Sequence, residues 1–339
     1  MKSNRVALVA MLVAAEIFIL GLAFYVVGGG RSMAFTHGMM HSGSMQHPSF
    51  TAHAVAPIAA GSHPVVYIDD ANSGMTVSVS SDNLVHVEDR TSFGGAFWGK
   101  KPNIPQLAVS HDGNGVRIVR AAYEDNFFSI GFSNSREHID IQAPAGAVLE
   151  IVRCSGATIT GVEGGVNAVS QDGSLHLFNV RGTIVAHSND GRIELRHAQA
   201  QSTELSSGDG RIVIDDVTTP SLVAKTADGR ITATGLMMMG ASPHATIHSN
   251  DGYVSLVGSF AENGSYDIST DDGHIDVALD AASNATVNAS TNDGSIALDG
   301  HSSGDDSANN RTLRVGNGSG AMRISTHDGN IHITTNGAS

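Results

Sequence analysis

One short phrase, written eight times between residues 166 and 333, constrains this chain more than any other feature. The phrase is Ser or Thr, any residue, Asp and Gly, followed by two apolar residues in alternation. Its Asp-Gly pairs are Asp172-Gly173, Asp190-Gly191, Asp209-Gly210, Asp228-Gly229, Asp251-Gly252, Asp272-Gly273, Asp293-Gly294 and Asp328-Gly329. Neighbouring pairs lie 18 to 23 residues apart, with one longer interval before the last pair. A repeat of this length predicts a solenoid or another array of stacked units.

The residues around each pair predict strands punctuated by turns. Alternation of apolar with other residues is the period of a β-strand, whose successive side chains point to opposite faces. In the turn, Gly adopts positive φ at low cost, and Asp can accept a hydrogen bond from its own turn. A hydroxyl residue stands two positions before every Asp: Ser170, Ser188, Ser207, Thr226, Ser249, Thr270, Thr291 and Thr326.

The fixed spacing favours a parallel stack over a series of hairpins. An Asp-Gly pair is also a strong signal for a two-residue hairpin turn. Hairpins explain each turn alone, but they do not explain matching apolar positions in eight repeats. In a parallel stack these positions become ladders with a rise of about 4.8 Å per coil, as for Ile193, Ile212 and Ile231. We therefore predict an all-β chain with a parallel β-solenoid (β-helix) over residues 149–336.

Residues 65–148 have strand-like patterns without the repeat, and we expect this amino-terminal β region to cap the solenoid. An open solenoid end would expose unpaired strand edges. The sequence Asp112-Gly113-Asn114-Gly115 predicts a hairpin turn between two strands. Residues 93–102 are predicted to form a loop that carries the single tryptophan, Trp98, beside two lysines. This loop either contacts a partner or glycan, or folds back onto the sheet.

The amino terminus predicts a membrane anchor in residues 1–31. Residues 6–27 form a run of 22 mostly apolar residues, which is long enough to span a bilayer. Lys2 and Arg5 precede the run and orient its amino-terminal end towards the cytoplasm. A cleaved signal peptide is the alternative, because Ser32-Met33-Ala34 offers a cleavage site of small residues. Both interpretations predict that the residues after Arg31 are exported from the cytoplasm.

Residues 32–64 are predicted to form a disordered linker, because they are rich in Gly, Ser, Ala, His and Met and poor in large apolar residues. Thioethers and imidazoles are ligands that suit copper, and Met favours the cuprous ion. The candidate copper ligands are His37, Met39, Met40, His41, Met45 and His47. The alternative is a spacer that binds no metal.

Composition excludes some partners. The net charge of −14 argues against nucleic acid and against anionic lipid headgroups as general partners. A single cysteine, Cys154, rules out an internal disulfide framework, and we expect it to be a small core residue. Charged residues make up 15% and aromatic residues 5% of the chain, which suits a thin repetitive core.

Three further features resemble a known family. They are the segment from Ile139 to Gly146 (IDIQAPAG), the segment from Cys154 to Ile159 (CSGATI), and the serial Asp-Gly turns followed by Ile. Together they resemble the bacterial putative-adhesin family of β-strand-repeat proteins, over roughly residues 65–335. The resemblance implies a parallel β-solenoid in the cell envelope, held at the cytoplasmic membrane by one amino-terminal helix. It brings no catalytic residues.

The spacing of the repeat also bears on three other functions: calcium binding, polysaccharide cleavage and binding of anions or glycans. The Asp column could bind Ca²⁺, but the Gly-Gly-x-Gly-x-Asp nonapeptide of calcium-binding repeat proteins is absent. Polysaccharide-cleaving β-helices need carboxylates in a groove, whereas these Asp residues occupy turns. Arg192, Arg211 and Arg230 are predicted to form an outward column, which either binds anions or glycans or pairs with the neighbouring Asp residues.

The remaining histidines predict no metal site. His176, His187, His248, His274, His327 and His332 fall in different columns without a ligand spacing. The sequence therefore predicts no catalytic residue and no cofactor beyond copper in the linker. The expected partner is an unidentified envelope protein or glycan. The competing function is copper handling in the envelope.

Overall fold

Strands joined by turns make up the part of the chain that the structure describes. A computed structural model describes residues 46–61, 63–98, 104–121, 130–299 and 309–336. The strands nearest the amino terminus are β1 (Gln46–Ala59), β2 (Val65–Asp69), β3 (Gly74–Val79), β4 (Leu84–Trp98), β5 (Ala108–Asp112), β6 (Gly115–Val119), β7 (Ile130–Ala143), β8 (Val148–Cys154) and β9 (Ala157–Thr160). No helix occurs among these described residues, which confirms the predicted all-β class.

The repeat region continues the same architecture. Its strands are β10 (Val166–Ser170), β11 (Leu175–Phe178), β12 (Arg181–Ser188), β13 (Ile193–Ser207), β14 (Ile212–Thr219), β15 (Ser221–Thr226), β16 (Ile231–Met238), β17 (His244–Ser249), β18 (Val254–Phe260), β19 (Ser265–Thr270), β20 (Ile275–Asp280), β21 (Ala285–Asp293), β22 (Ile296–Asp299), β23 (Asn310–Val315), β24 (Gly320–Asp328) and β25 (Ile331–Asn336). In each coil, the strand before the Asp-Gly turn lies on a first side of the stack. The strand after the turn lies on a second side.

Strands on both sides pair in parallel and keep the register of the repeat. On the second side, Ile212 lies between Ile193 and Ile231 as its paired neighbours. On the first side, the strands of successive coils pair in the same way, as in β12 with β13 and β13 with β15. Equivalent positions of the repeat are therefore stacked directly, which is the register that a solenoid requires.

The inward positions form apolar ladders. One ladder on the second side contains Ile193, Ile212, Ile231, Val254, Ile275, Ile331 and Ile296. Every member is at most 7% exposed. Burying one such side chain contributes about 1.5–3 kcal/mol before entropy is counted. These ladders hold the two sides together, because the alternate residues of each strand face outward.

The coils at the carboxyl end are not stacked in sequence order. Strand β24 pairs with β19 and β21, and β25 pairs with β20 and β22. The last coil of the sequence is therefore inserted between two earlier coils. Strand β23 then pairs antiparallel with β21 at the outer edge. The sequence predicts the longer interval before the last repeat but not this insertion.

The amino-terminal end has the same out-of-order stacking. Strand β2 lies between β6 and β8, and β3 lies between β7 and β9, all in parallel. Residues 65–148 thus contribute stacked coils as well as a cap, so the stack crosses the predicted boundary at residue 149. The predicted hairpin at 112–115 is present, since β5 and β6 are antiparallel with Asp112 opposite Gly115.

Three long antiparallel strands extend this end, and they correct two expectations. Strand β4 pairs with β1 and with β7, as far as Trp98. The predicted loop at 93–102 is therefore strand in its first part. The predicted disorder of residues 32–64 is also wrong for β1, which pairs with β4 from Gln46 to Ala59. Main-chain hydrogen bonds define β1, and within residues 51–59 the side chains of Val55 and Ile58 pack against the core.

The predicted membrane anchor lies outside the described residues. Nothing in the described ranges forms a helix long and apolar enough to cross a bilayer. The residues that the structure describes belong to one compact unit, Met45–Ser339.

Tyr266 is the largest fully buried side chain, and its ionisation predicts a loss of stability in alkali. Burial raises the pKa of its hydroxyl to about 12, while the hydroxyl donates to the Ala261 carbonyl at 2.9 Å. The unfolded chain, with an ordinary pKa of about 10, loses this proton first. The free energy of unfolding is therefore unaffected below about pH 10 and falls by up to about 2–3 kcal/mol as pH approaches 12.

Urea unfolding across this pH range checks the prediction. Tyr266→Phe should lower stability at neutral pH by about 1 kcal/mol, because a buried hydrogen bond is lost, and should make the alkaline fall smaller. Some fall remains, because burial also raises the pKa of Tyr253. An alkaline fall of the same size in Tyr266→Phe and the parent would contradict the assignment.

Candidate functional site

The hydroxyl that precedes the Asp-Gly pair closes the turn in five of the eight repeats, by accepting a hydrogen bond from the glycine amide. The Gly210 amide donates to Ser207 Oγ at 3.1 Å, and Ser207 Oγ donates to the Gly191 carbonyl of the previous coil at 3.0 Å. The same hydroxyl-to-carbonyl bond recurs in Ser188, Thr226, Ser249, Thr270, Thr326 and Thr291. This column of buried hydroxyls therefore ties successive coils together at the turns.

The glycine of the turn is required for close approach rather than for positive φ. None of the eight repeat glycines is in the left-handed region. A Cβ placed on Gly210 would lie 2.1 Å from the Gly191 carbonyl oxygen, and one on Gly229 would lie 2.1 Å from the Gly210 oxygen. The sequence-based reason for these glycines is therefore wrong, because adjacent coils meet backbone to backbone at this corner.

The aspartates of the repeat have a different position. All eight are exposed, from Asp172 to Asp328. None of their carboxylates has a hydrogen bond to a turn amide among the described residues, so the expected capping role belongs to the hydroxyls. Asp328 has one contact, with His327 Nε2 at 4.0 Å. The Asp column is thus a solvent-exposed edge of the stack.

The predicted Arg column has partners other than these aspartates. Arg192 contacts Glu194 at 3.3 Å, and Glu194 also contacts His176 at 3.1 Å. Arg230 lies over the ring of Tyr253, with 4.9 Å between its guanidinium carbon and the ring centroid. The column therefore forms ion pairs and a cation–π contact along the second side instead of neutralising the turns.

The predicted histidines make pairwise contacts. Nε2 of His274 lies 3.0 Å from Asp276, and His332 lies 3.1 Å from Asp299 and 3.8 Å from Asp276. The other three bond to hydroxyl or amide groups: His187 to Ser206, His248 to Ser269 and Asn250, and His327 to Asn292. In the described ranges no three His, Cys, Asp or Glu side chains are placed to hold a metal ion.

The copper candidates are not tested by the structure. His37, Met39, Met40, His41 and Met45 lie outside the described residues, and His47 belongs to strand β1. Copper binding by this segment stays a prediction.

Cys154 is a core residue, as expected. It is fully buried, and burial raises the pKa of its thiol. A protonated, inaccessible thiol is a poor nucleophile.

A buried ion-pair cluster at the amino-terminal end is absent from the sequence predictions. The Arg120 guanidinium contacts Asp70 at 2.7 Å and Asp89 at 2.6 Å, and it donates to the Pro105 carbonyl at 2.7 Å. These contacts join Asp70 and Arg120, which follow the last residues of β2 and β6, to Asp89 within β4. Charged residues that end strands are usually solvated, so the sequence offers no signal for this cluster.

A groove along the stack is the candidate ligand-binding surface of the repeat region. It has a volume of about 430 Å³ and lies at the corner that follows the second side of each coil. One wall is the column Gly161, Asn179, His197 and Asp216. The other wall lies two residues further along each coil and contains Glu163, Arg181, Gln199, Thr218 and Met237. The residues between the walls, such as Val180 and Val217, are buried in the core.

Polar side chains line this groove and are paired along each wall. Arg181 lies 3.7 Å from Glu163, and His197 Nδ1 lies 3.0 Å from Asp216. All four side chains are more than half exposed. Each acidic group is therefore next to a basic one, and the remaining donors and acceptors face solvent.

The corner wall carries backbone strain. Asn179, His197 and Asp216 have φ of 54°, 53° and 54°, in the left-handed region that favours glycine. The coils on either side have glycine at this corner, Gly161 and Gly235, also with positive φ. The sequence does indicate this corner. Asn179, His197 and Asp216, whose residue types tolerate positive φ, stand seven positions after the repeat residues Asp172, Asp190 and Asp209.

Known proteins give a family but no function. No curated protein matches the chain. Among solved structures, a putative adhesin from Bacteroides fragilis is 12% identical over 85% of this chain and 97% of its own, with a TM-score of 0.37. A putative adhesin from Parabacteroides distasonis is 11% identical over 85% and 97%, with a TM-score of 0.35. Superpositions this loose support no functional inference.

The family assignment comes from the sequence match. The family model described as Toastrack DUF4097 matches residues 75–334, which is most of the chain and includes all eight repeats. The chain therefore belongs to the Toastrack DUF4097 family.

Proposed function

We propose that this protein is a membrane-anchored, adhesin-like interaction protein of the bacterial cell envelope. The anchor is the apolar run at residues 6–27, and the stacked coils lie outside the cytoplasm. The protein is a scaffold and not an enzyme. It presents a rigid surface to an envelope protein or glycan, and it does not bind nucleic acid.

One observation carries the proposal: outward side chains are repeated in straight columns on a stack of coils with register-matched ladders. The Asp edge and the polar groove are exposed columns of this kind. A repeated rigid surface suits contact with an extended partner. The buried Cys154 in the described part is consistent with this role.

Copper handling through residues 32–64 is the second candidate. Its support is the density of His and Met in that segment. The pairing of β1 with β4 fixes the main chain from Gln46 onwards. A copper site would therefore draw mainly on residues 37–45.

A reporter fusion tests the exported location. Alkaline phosphatase fused after Ser339 should be active, and a fluorescent protein that matures only in the cytoplasm should be dark at the same position. Both results follow from Lys2 and Arg5 holding the amino-terminal end of the apolar run inside. The matched control lacks residues 1–31 and should reverse both signals. A fluorescent full-length fusion with inactive phosphatase would refute the proposed location.

A further inference from the structure

We propose that the groove defined by the corner column and the column from Glu163 to Met237 binds an extended, uncharged oligosaccharide. This inference rests on the proposed interaction role and names a ligand class for it. The groove crosses successive coils along the stack, so wall positions recur at the rise of one coil, about 4.8 Å. An extended glycan chain lying along the groove would therefore meet polar side chains from several successive coils.

The chemistry of the walls favours sugar hydroxyls. Arg181 with Glu163, and His197 with Asp216, place a donor beside an acceptor at 3.7 and 3.0 Å. A sugar hydroxyl both donates and accepts, so it can bond to both members of such a pair. Arg181 lies beside Glu163 at 3.7 Å, so the groove offers no excess positive charge that would attract an anionic polymer.

An extended peptide fits this surface less well. Peptides usually bind to sheets by adding a strand to an unpaired edge. In this groove, Gln199 is already paired in parallel with Arg181 on one side and with Thr218 on the other. Main-chain groups are therefore used within the stack, and recognition depends on side chains.

Strain at the corner supports a binding role. Gly161 and Gly235 show that glycine serves this corner in the flanking coils. Asn179, His197 and Asp216 adopt the same conformation at a cost that glycine would avoid. A polar side chain at three successive strained corners is explained if the side chain contacts a ligand.

Titration calorimetry on the detergent-purified full-length chain tests the proposal, with cellohexaose as the straight probe and maltohexaose as the curved one. We expect cellohexaose to bind with a dissociation constant below about 1 mM and maltohexaose to bind at least about tenfold more weakly. The double variant His197→Gly/Asp216→Gly should lose at least about tenfold in affinity for cellohexaose. Its thermal midpoint should equal or exceed that of the parent, because strain is relieved.

Asn263→Gly is the matched control. Asn263 has φ of 59° and lies outside the groove, so this variant relieves the same kind of strain and should bind cellohexaose like the parent. If the double variant proves less stable than the parent, Gln199→Ala replaces it under the same affinity criterion. Absence of cellohexaose binding, or unchanged affinity in the groove variant, would overturn the proposal. Equal binding of maltohexaose would overturn the requirement for a straight chain.

The binding and location experiments fail independently. Calorimetry on purified protein does not depend on where the protein resides, so a negative result rejects the groove and leaves the exported location standing. A cytoplasmic reporter signal would reject the location even if the groove binds the probe.

Discussion

Ile212→Asp should unfold the repeat region locally and cost most of the stability of the stack. Ile212 is fully buried between Ile193 and Ile231, with apolar neighbours in both adjacent coils. A carboxylate there would have no partner, and an unpaired buried charge costs several kcal/mol. A whole domain is typically stable by about 5–15 kcal/mol. Urea unfolding should therefore show a loss of at least about 4 kcal/mol, or no cooperative transition.

Arg211→Asp is the matched control, one residue away with the same introduced side chain. Arg211 is exposed, and its carbonyl accepts the Ile193 amide whatever its side chain is. We expect a loss below about 1 kcal/mol. Because coils contact mainly their neighbours, limited proteolysis of Ile212→Asp should cut first between Asp209 and Asp228. Equal tolerance of both variants, or first cuts scattered along the chain, would contradict the stacked-column arrangement.

The ladders were predictable because they depend on local pattern alone. Alternation around each Asp-Gly pair fixes which residues face inward, and the constant offset fixes which residues stack. Ile212 was placed between Ile193 and Ile231 from spacing, and the pairing confirms it. The two-residue hairpin at Asp112 was predictable for the same reason.

The order of the coils was not predictable from such patterns. Strands β24 and β25 have the same alternation as every other coil, so their sequence fits any place in the stack. Their insertion beside β19 and β20 depends on which edges are free when the chain returns. Strand β1 was missed for a related reason, because its Ala, Thr and His residues lack apolar alternation and main-chain pairing alone defines it.

The groove was only partly accessible from the sequence. Asn179, His197 and Asp216 share an offset from the repeat Asp, but only the corner geometry shows that they form one wall. Which residues form the opposite wall depends on where each coil continues after the corner. The sequence indicates the Asp and Arg columns as candidate sites, because these residues stand in or next to the repeated Asp-Gly turn.

Substitutions in one Asp-Gly turn should separate the roles of Asp209 and Gly210. Gly210→Ala should destabilise the protein by at least about 3 kcal/mol. Its new Cβ would lie 2.1 Å from the Gly191 carbonyl oxygen and 2.5 Å from Ser207 Oγ. Both neighbours are fixed, one by the backbone of the adjacent coil and the other by two hydrogen bonds. The coils must therefore separate or the hydroxyl ladder must break.

Two alanine variants serve as controls in the same urea unfolding series. Asp209→Ala alters the neighbouring residue of the motif, which is exposed, and should change stability by less than about 0.5 kcal/mol. Gly113→Ala adds a methyl group at φ of 56° with nothing within 4 Å, so it should cost only about 1 kcal/mol of conformational strain. Steric conflict alone then accounts for the larger loss at Gly210. A larger loss for Asp209→Ala than for Gly210→Ala would show that the carboxylate, and not the close approach of coils, holds the turn.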